Sequence, residues 1–181
     1  MANVNIYPAH RDILDSLVTS GKAKSAAAST KTGPFKEMRD AYVFAATLAM
    51  ALNQPTPAEE MPTSKKEVLP IQDRVFFGAD GATEITAAVV LTSAAPDQTI
   101  DDSLRSQMDL LASENMAEQL ALLDRYAHAG FDWLRKHSQD ESSIRDLVMT
   151  AIDTVECAER EVGDGSQVQD PLLGLLNMII E

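Results

Sequence analysis

A chain of 181 residues that is 45% apolar and 24% charged has the make-up of one globular domain, long enough to bury a core without disulfides or metals. Its net charge of −13 excludes a generally basic, phosphate-binding surface, and its one cysteine, Cys157, excludes an internal disulfide and suits a reducing cytoplasm. No apolar run approaches the roughly 18 residues of a bilayer-spanning helix, and the N-terminus lacks a basic region followed by an apolar block, so the expectation is a cytoplasmic, non-membrane protein.

Pro8 to Ser20 predicts a first amphipathic helix, with Pro8 at its start, Gly21 past its end, and Ile13, Leu14, Leu17 and Val18 on one face. Residues 22–33 read as a loop of small, polar and basic residues. Gly33-Pro34-Phe35 then opens an expected helix from Pro34 to Asn53, charged on its first turn and almost wholly apolar afterwards. Met38, Tyr42, Ala45, Ala49 and Leu52 form one stripe; Ala41, Phe44, Leu48 and Ala51 form a second beside it. Two adjacent stripes imply burial over a wide arc, and Pro55 and Pro57 close the helix. Residues 54–67 read as a Pro-rich charged linker, and Val68 to Phe77 as extended, with one short strand near 70–77.

Thr83 to Ala94 has helical spacing as well as β-friendly composition; the absence of a partner strand of similar length nearby favours helix. Asp101 or Asp102 is placed to cap a helix that turns Leu104, Met108 and Leu111 inward. Glu114 to His137 reads as a long helix with Met116, Leu120, Leu123, Ala127, Phe131 and Leu134 on its apolar face, and Gly130 in its middle marks a tight helix crossing. Ser143-Ile-Arg-Asp146 has the capping-box form and starts a helix through Arg160. Gly163-Asp164-Gly165-Ser166 reads as a break, after which Asp170 caps a final apolar segment. The predicted fold is all-α: a helical domain over 1–162 of five to seven helices with the linker at 54–67, then the break and apolar segment over 163–181.

No catalytic, cofactor-binding or metal-binding set emerges from the residue pattern. His128 and His137 are nine positions apart without a matching ligand pattern, so His10, His128 and His137 read as surface histidines. Cys157 sits among acidic neighbours, which do not favour a reactive thiolate, and reads as inert and structural. The acidic pairs Asp101-Asp102 and Asp140-Glu141 suit helix starts. Gly78-Ala-Asp-Gly81 lacks the lysine of a phosphate loop.

Two surfaces stand out as candidate contacts. Residues 1–74 hold nine Lys/Arg against eight acidic residues, whereas residues 75–181 hold six against twenty. Lys22, Lys24, Lys31, Lys36 and Arg39 are therefore the one basic concentration, available to a partner or to a nucleic-acid backbone. Leu172, Leu175, Leu176 and Ile179 belong to a C-terminal segment too apolar for water, which either folds back on the core or meets a partner, a second copy included.

Pro34-Phe35-Lys-Glu-Met-Arg-Asp40-Ala-Tyr-Val-Phe44-Ala-Ala46 resembles a P-F-x-x-x-x-D-x-x-x-F-A-A signature, and Leu123-Asp-Arg-Tyr-Ala-His-Ala-Gly130-Phe-Asp-Trp-Leu134 resembles an E-Y-A-N-x-G-x-x-x-L helix, with His128 in place of the asparagine. Both belong to the small accessory proteins encoded beside bacterial DNA phosphorothioation (Dnd-type) genes. The likeness spans roughly residues 6–137 and leaves the acidic region 138–181 outside. Such systems replace a non-bridging backbone oxygen of DNA with sulfur and can couple the mark to restriction of foreign DNA. The resemblance implies a non-enzymatic accessory or adaptor role in antiviral defence, without a cofactor, through contact with a protein of the same gene cluster. The alternatives are a nucleic-acid-binding regulator using residues 22–39 and an acidic DNA mimic built on the C-terminal half.

Overall fold

The computed structural model describes residues 3–19, 33–63, 67–72, 76, 83–92, 100–112 and 116–165. Strand β1 (Asn3–Ile6) alternates polar and apolar residues, and Val4 and Ile6 are buried without exposure. It pairs antiparallel with β2 (Leu69–Gln72) in the register Asn3 to Gln72 through Ile6 to Leu69. The short strand expected near 70–77 is thus present, and its partner is the N-terminal segment, which the sequence reading left unassigned.

A single 3₁₀ turn, Pro8–His10, leads into α1 (Arg11–Leu17), and the chain is extended again by Val18. Gly33 to Glu37 does not start the next helix. Phe35 pairs with the end of α1 instead: its N–H donates to the Leu17 carbonyl at 3.0 Å, and its own carbonyl accepts from the Thr19 N–H at 2.7 Å. Gly33 is required by this approach, because a Cβ there would overlap the Leu17 carbonyl group and sit 2.6 Å from the Val18 nitrogen.

Helix α2 (Met38–Ala51) buries Ala41, Tyr42, Ala45, Ala46, Leu48 and Ala49, the wide apolar arc read from the sequence, while Met38 is 40% exposed. Its C-terminus is a Schellman motif centred on Asn53, whose φ of 49° is tolerated by asparagine; the N–H groups of Asn53 and Gln54 donate to Met50 and Ala49. The prolines follow this stop rather than making it. The following segment is held to the central helix of the fold: the Thr56 N–H donates to the Arg125 carbonyl at 3.3 Å, Arg125 Nε donates to the Thr56 carbonyl at 2.8 Å, and a 3₁₀ turn forms at Ala58–Glu60. Phe76 is helical and fully buried rather than extended, its ring edge-on to Tyr42 at 5.6 Å.

Helix α3 (Thr83–Thr92) forms as the spacing favoured and buries Thr86, Val89 and Val90. Helix α4 (Ile100–Ala112) begins before Asp101, so both aspartates lie within its first turn rather than at the cap. Of the three residues expected to face inward, Leu111 is half-buried but the other two are not. Gln107 is buried, whereas Leu104 is 51% and Met108 59% exposed. Helix α5 (Met116–His137) is the central element, burying Leu120, Leu123, Tyr126, Ala127, Phe131 and Leu134 against its neighbours, and α2 is its most extensive helix partner. Gly130 sits where the two backbones meet, directly over Ala45.

Helix α6 (Ile144–Gly165) carries on through the glycines at which the sequence reading places a break. It starts on the expected capping box: the Asp146 N–H donates to Ser143 Oγ at 3.2 Å, and the Ser142 and Ser143 hydroxyls donate to Asp146 Oδ2 at 2.7 Å each. Those two hydroxyls, Ser142 first, hold the Asp146 carboxyl below its ordinary range. Ser143→Ala is therefore expected to raise amide exchange several-fold over residues 144–147 and to leave exchange in the middle of α5 unchanged, as measured by hydrogen exchange with mass spectrometry. The fold is all-α in the sense expected, with six helices and one two-stranded sheet among the described residues. None of these helices is long and apolar enough to cross a membrane.

Candidate functional site

Helix α5 presents two polar groups, one turn apart, toward the N-terminal segment. The first is Asp124, which is buried at 7% exposure and follows Leu120 by four positions. Its Oδ1 accepts the Tyr42 hydroxyl at 2.7 Å and the Asn5 backbone N–H at 3.1 Å, and its Oδ2 accepts the Tyr7 hydroxyl at 3.2 Å. One carboxylate thereby ties α2 and the N-terminal segment to the central helix. Burial pushes its carboxyl above the ordinary 3.8, against three donors that pull it down. Burial, then the Asp124 charge, raises Tyr7 to about 12 and Tyr42 well above its ordinary value. Both phenols stay protonated and act as donors, so this is a positioning network without an accessible acid or base.

The second group is one turn further on. His128 and Asp132 stand i, i+4 on α5, with His128 Nδ1 3.5 Å from Asp132 Oδ2. His10 reaches them from the 3₁₀ turn before α1: its Nδ1 is 3.9 Å from Asp132 Oδ1, and its ring lies edge-on to His128 at 4.7 Å and stacked on Phe131 at 5.5 Å. His10 is 1% exposed, and neither ring nitrogen has a hydrogen-bond partner among the described residues. Burial, then neighbouring His128, pushes its pKa down to about 4, so the ring is neutral near pH 7 and keeps a lone pair. The reading of His10 as a surface residue is corrected: Pro8 and the turn fold it inward against Phe131. His137 is held locally, stacked on Trp133 at 3.8 Å with Nδ1 on the Trp133 carbonyl at 2.8 Å.

Thr56 Oγ1, at 3.2 Å, approaches the same His128 nitrogen that faces Asp132, so the ring cannot pass a proton from hydroxyl to carboxylate through its two sides. Two imidazoles and a carboxylate do form a set that could hold a metal ion.

Of the basic candidates, Lys22, Lys24 and Lys31 lie outside the described residues. Lys36 and Arg39 line one shallow recess with Val18, Pro70 and Gln72. Arg39 pairs with Asp40 at 3.3 Å and Glu37 at 3.9 Å, which offsets its charge. Leu172, Leu175, Leu176 and Ile179 lie outside the described residues as well. Cys157 is exposed on α6, not packed in the core. The structure adds two apolar surfaces: the outer face of α4, and a groove between α2 and α6 lined by Phe44, Leu48, Ala51, Ile152 and Val155.

Fold and site together define a small helical protein whose N-terminal segment is keyed to a central helix by buried polar contacts. A family model described as DNA sulphur modification system-associated protein 4 matches residues 22–168, and the chain belongs to that family. The match reaches well into the acidic region that the sequence resemblance left outside, and it covers His128 and Asp132 but not His10. No curated protein and no solved structure matches the chain significantly.

Proposed function

We propose that this protein is a non-enzymatic adaptor of a DNA sulphur modification system and that it works by binding another protein of that system through the outer face of α4. The observation that carries the reading is the exposed apolar pair on this helix. Leu104 and Met108 are adjacent at i, i+4 and remain 51% and 59% exposed, although they form the apolar side of an amphipathic helix. Burying the exposed half of each side chain in an interface is worth about 1 kcal/mol apiece, which makes the pair a candidate anchor of the contact. The paired charges of Arg39 weigh against a phosphate-binding role for the part of the basic segment that is described.

Co-expression with the neighbouring sulphur-modification genes tests this directly. The full chain is expected to co-purify with one of their products, and Leu104→Asp with Met108→Asp is expected to abolish capture while the circular dichroism spectrum is kept. Failure to recover any such protein, or undiminished capture by the double variant, would sink the reading. Binding of duplex DNA by the isolated chain at low salt, where electrostatic attraction is strongest, would favour the regulator instead.

A further inference from the structure

We propose that His10, His128 and Asp132 form a site for one divalent transition-metal ion, with zinc the best-suited probe, which fastens the N-terminal segment to α5. The proposal is independent of the adaptor reading. One nitrogen of each histidine and one Asp132 oxygen lie within 4.8 Å of one another. Around a tetrahedral zinc ion with bonds near 2 Å, ligand atoms are about 3.3 Å apart. His128 Nδ1 lies 3.5 Å from Asp132 Oδ2 and His10 Nδ1 lies 3.9 Å from Asp132 Oδ1, so both histidines are near this spacing from the carboxylate, and a turn of the Asp132 side chain brings one oxygen toward both.

The chemistry of the three donors is selective. Two imidazoles with one carboxylate suit zinc and its first-row neighbours, whereas magnesium and calcium favour oxygen-only sets. His10 supplies the independent sign of a ligand: a side chain 1% exposed, its Nδ1 facing the Asp132 carboxylate beyond hydrogen-bond reach, with both nitrogens unsatisfied among the described residues. Native interiors rarely leave such a group unpartnered. Asp132 is 43% exposed, so it stands at the solvent side, where an ion enters and where a fourth position is left for water.

Arg135 decides between this and a plain ion-pair cluster. Its Nη2 holds Asp132 Oδ1 at 3.0 Å, and the Arg135 side chain is 55% exposed. A guanidinium there competes with a metal cation for the same oxygen. If the cluster is built for a metal, removing Arg135 tightens binding; if it is only an ion-pair network, removing Arg135 changes no metal affinity.

The test uses the tag-free full chain, stripped with a chelator and titrated with zinc alone by calorimetry, with cobalt as a spectroscopic substitute. One ion per chain is expected, with the intense visible absorption of four-coordinate cobalt. Asp132→Asn and His128→Gln are each expected to weaken binding at least about ten-fold, by the scale of lost ligand-sphere partners. Arg135→Ala is expected to tighten it, and His137→Gln and Cys157→Ser to leave it unchanged. Asp132→Asn changes an exposed position, and its circular dichroism spectrum separates lost ligation from lost folding. Absence of saturable one-to-one binding, equal binding by the Asp132 and His128 variants, or loss of binding on removing His137 or Cys157 would overturn the site and leave a water-bridged polar cluster in its place.

Discussion

Gly130→Ala is expected to destabilise the fold by roughly 2 kcal/mol or more, although alanine is the better helix former. In an open helix this change would gain about 1 kcal/mol. Here the added Cβ would overlap the Ala45 carbonyl oxygen and lie 2.9 Å from the Ala45 Cα. These are backbone atoms of a neighbouring helix, so no rotamer change relieves them; α2 and α5 must separate. Separation loosens the packing of Tyr42, Ala45, Ala49, Ala127 and Phe131 together. Against a whole-domain stability of about 5–15 kcal/mol this is a large share. Urea unfolding followed by circular dichroism measures it as a lower midpoint. Ala45→Gly should not rescue the variant, because the obstructing atoms belong to the Ala45 main chain. An unchanged or raised midpoint would show that the helices are not in contact at this position.

The helical skeleton was legible because its signals are local. The alanine-rich arc of α2, the three-four spacing of α5, the glycine at the crossing and the Ser143 capping box each arise within a single element, and each appears in the structure. What was not legible depends on partners distant in the chain. Asn3–Ile6 is a strand only because Leu69–Gln72 lies beside it. Phe35 is extended because the end of α1 offers its backbone, an influence that overrode the helix-start appearance of Gly33-Pro34. On α4, periodicity gives a face and not its direction, and Leu104 and Met108 lie exposed while Gln107 is buried; Gln119 Nε2 donating to the Leu110 carbonyl is one of the polar contacts at the end of this helix.

The two polar groups on α5 were half visible. Asp124 is four residues from Leu120 and three from Ala127, an acid within an apolar face, and His128 and Asp132 have a one-turn ligand spacing. Comparing His128 with His137 alone missed that spacing. His10 could not be joined to them from sequence, because the 117 residues between His10 and His128 carry no periodic signal that links them. Polar residues on a buried face are thus the places where a helix pattern stops describing packing and begins to describe long-range contacts.

Asp124→Ala is expected to cost about 3 kcal/mol or more, since each buried donor left without an acceptor costs about 1–3 kcal/mol. The loss has three parts. The Tyr42 and Tyr7 hydroxyls and the Asn5 N–H would face a void without an acceptor, and the connection among β1, α2 and α5 would go with it. Adding Tyr42→Phe to Asp124→Ala should cost less than Tyr42→Phe costs alone, since the orphaned hydroxyl is then removed; additive losses would deny the coupling. Asp124→Asn keeps one acceptor and should cost less than alanine at pH 7. It also isolates the titration. The folded carboxyl titrates above its ordinary 3.8, so the folded state binds the proton more tightly than the unfolded chain. The stability supplied by that proton is fully present below the unfolded value and is lost as pH rises through the folded one. The gap between wild type and Asp124→Asn should therefore narrow as pH rises from about 4 to 7, a comparison that cancels the titration of groups common to both chains. Urea midpoints at several pH values read this gap directly. A gap that widens over that interval would mean that the three donors outweigh burial and hold Asp124 ionised as the tighter-bound form.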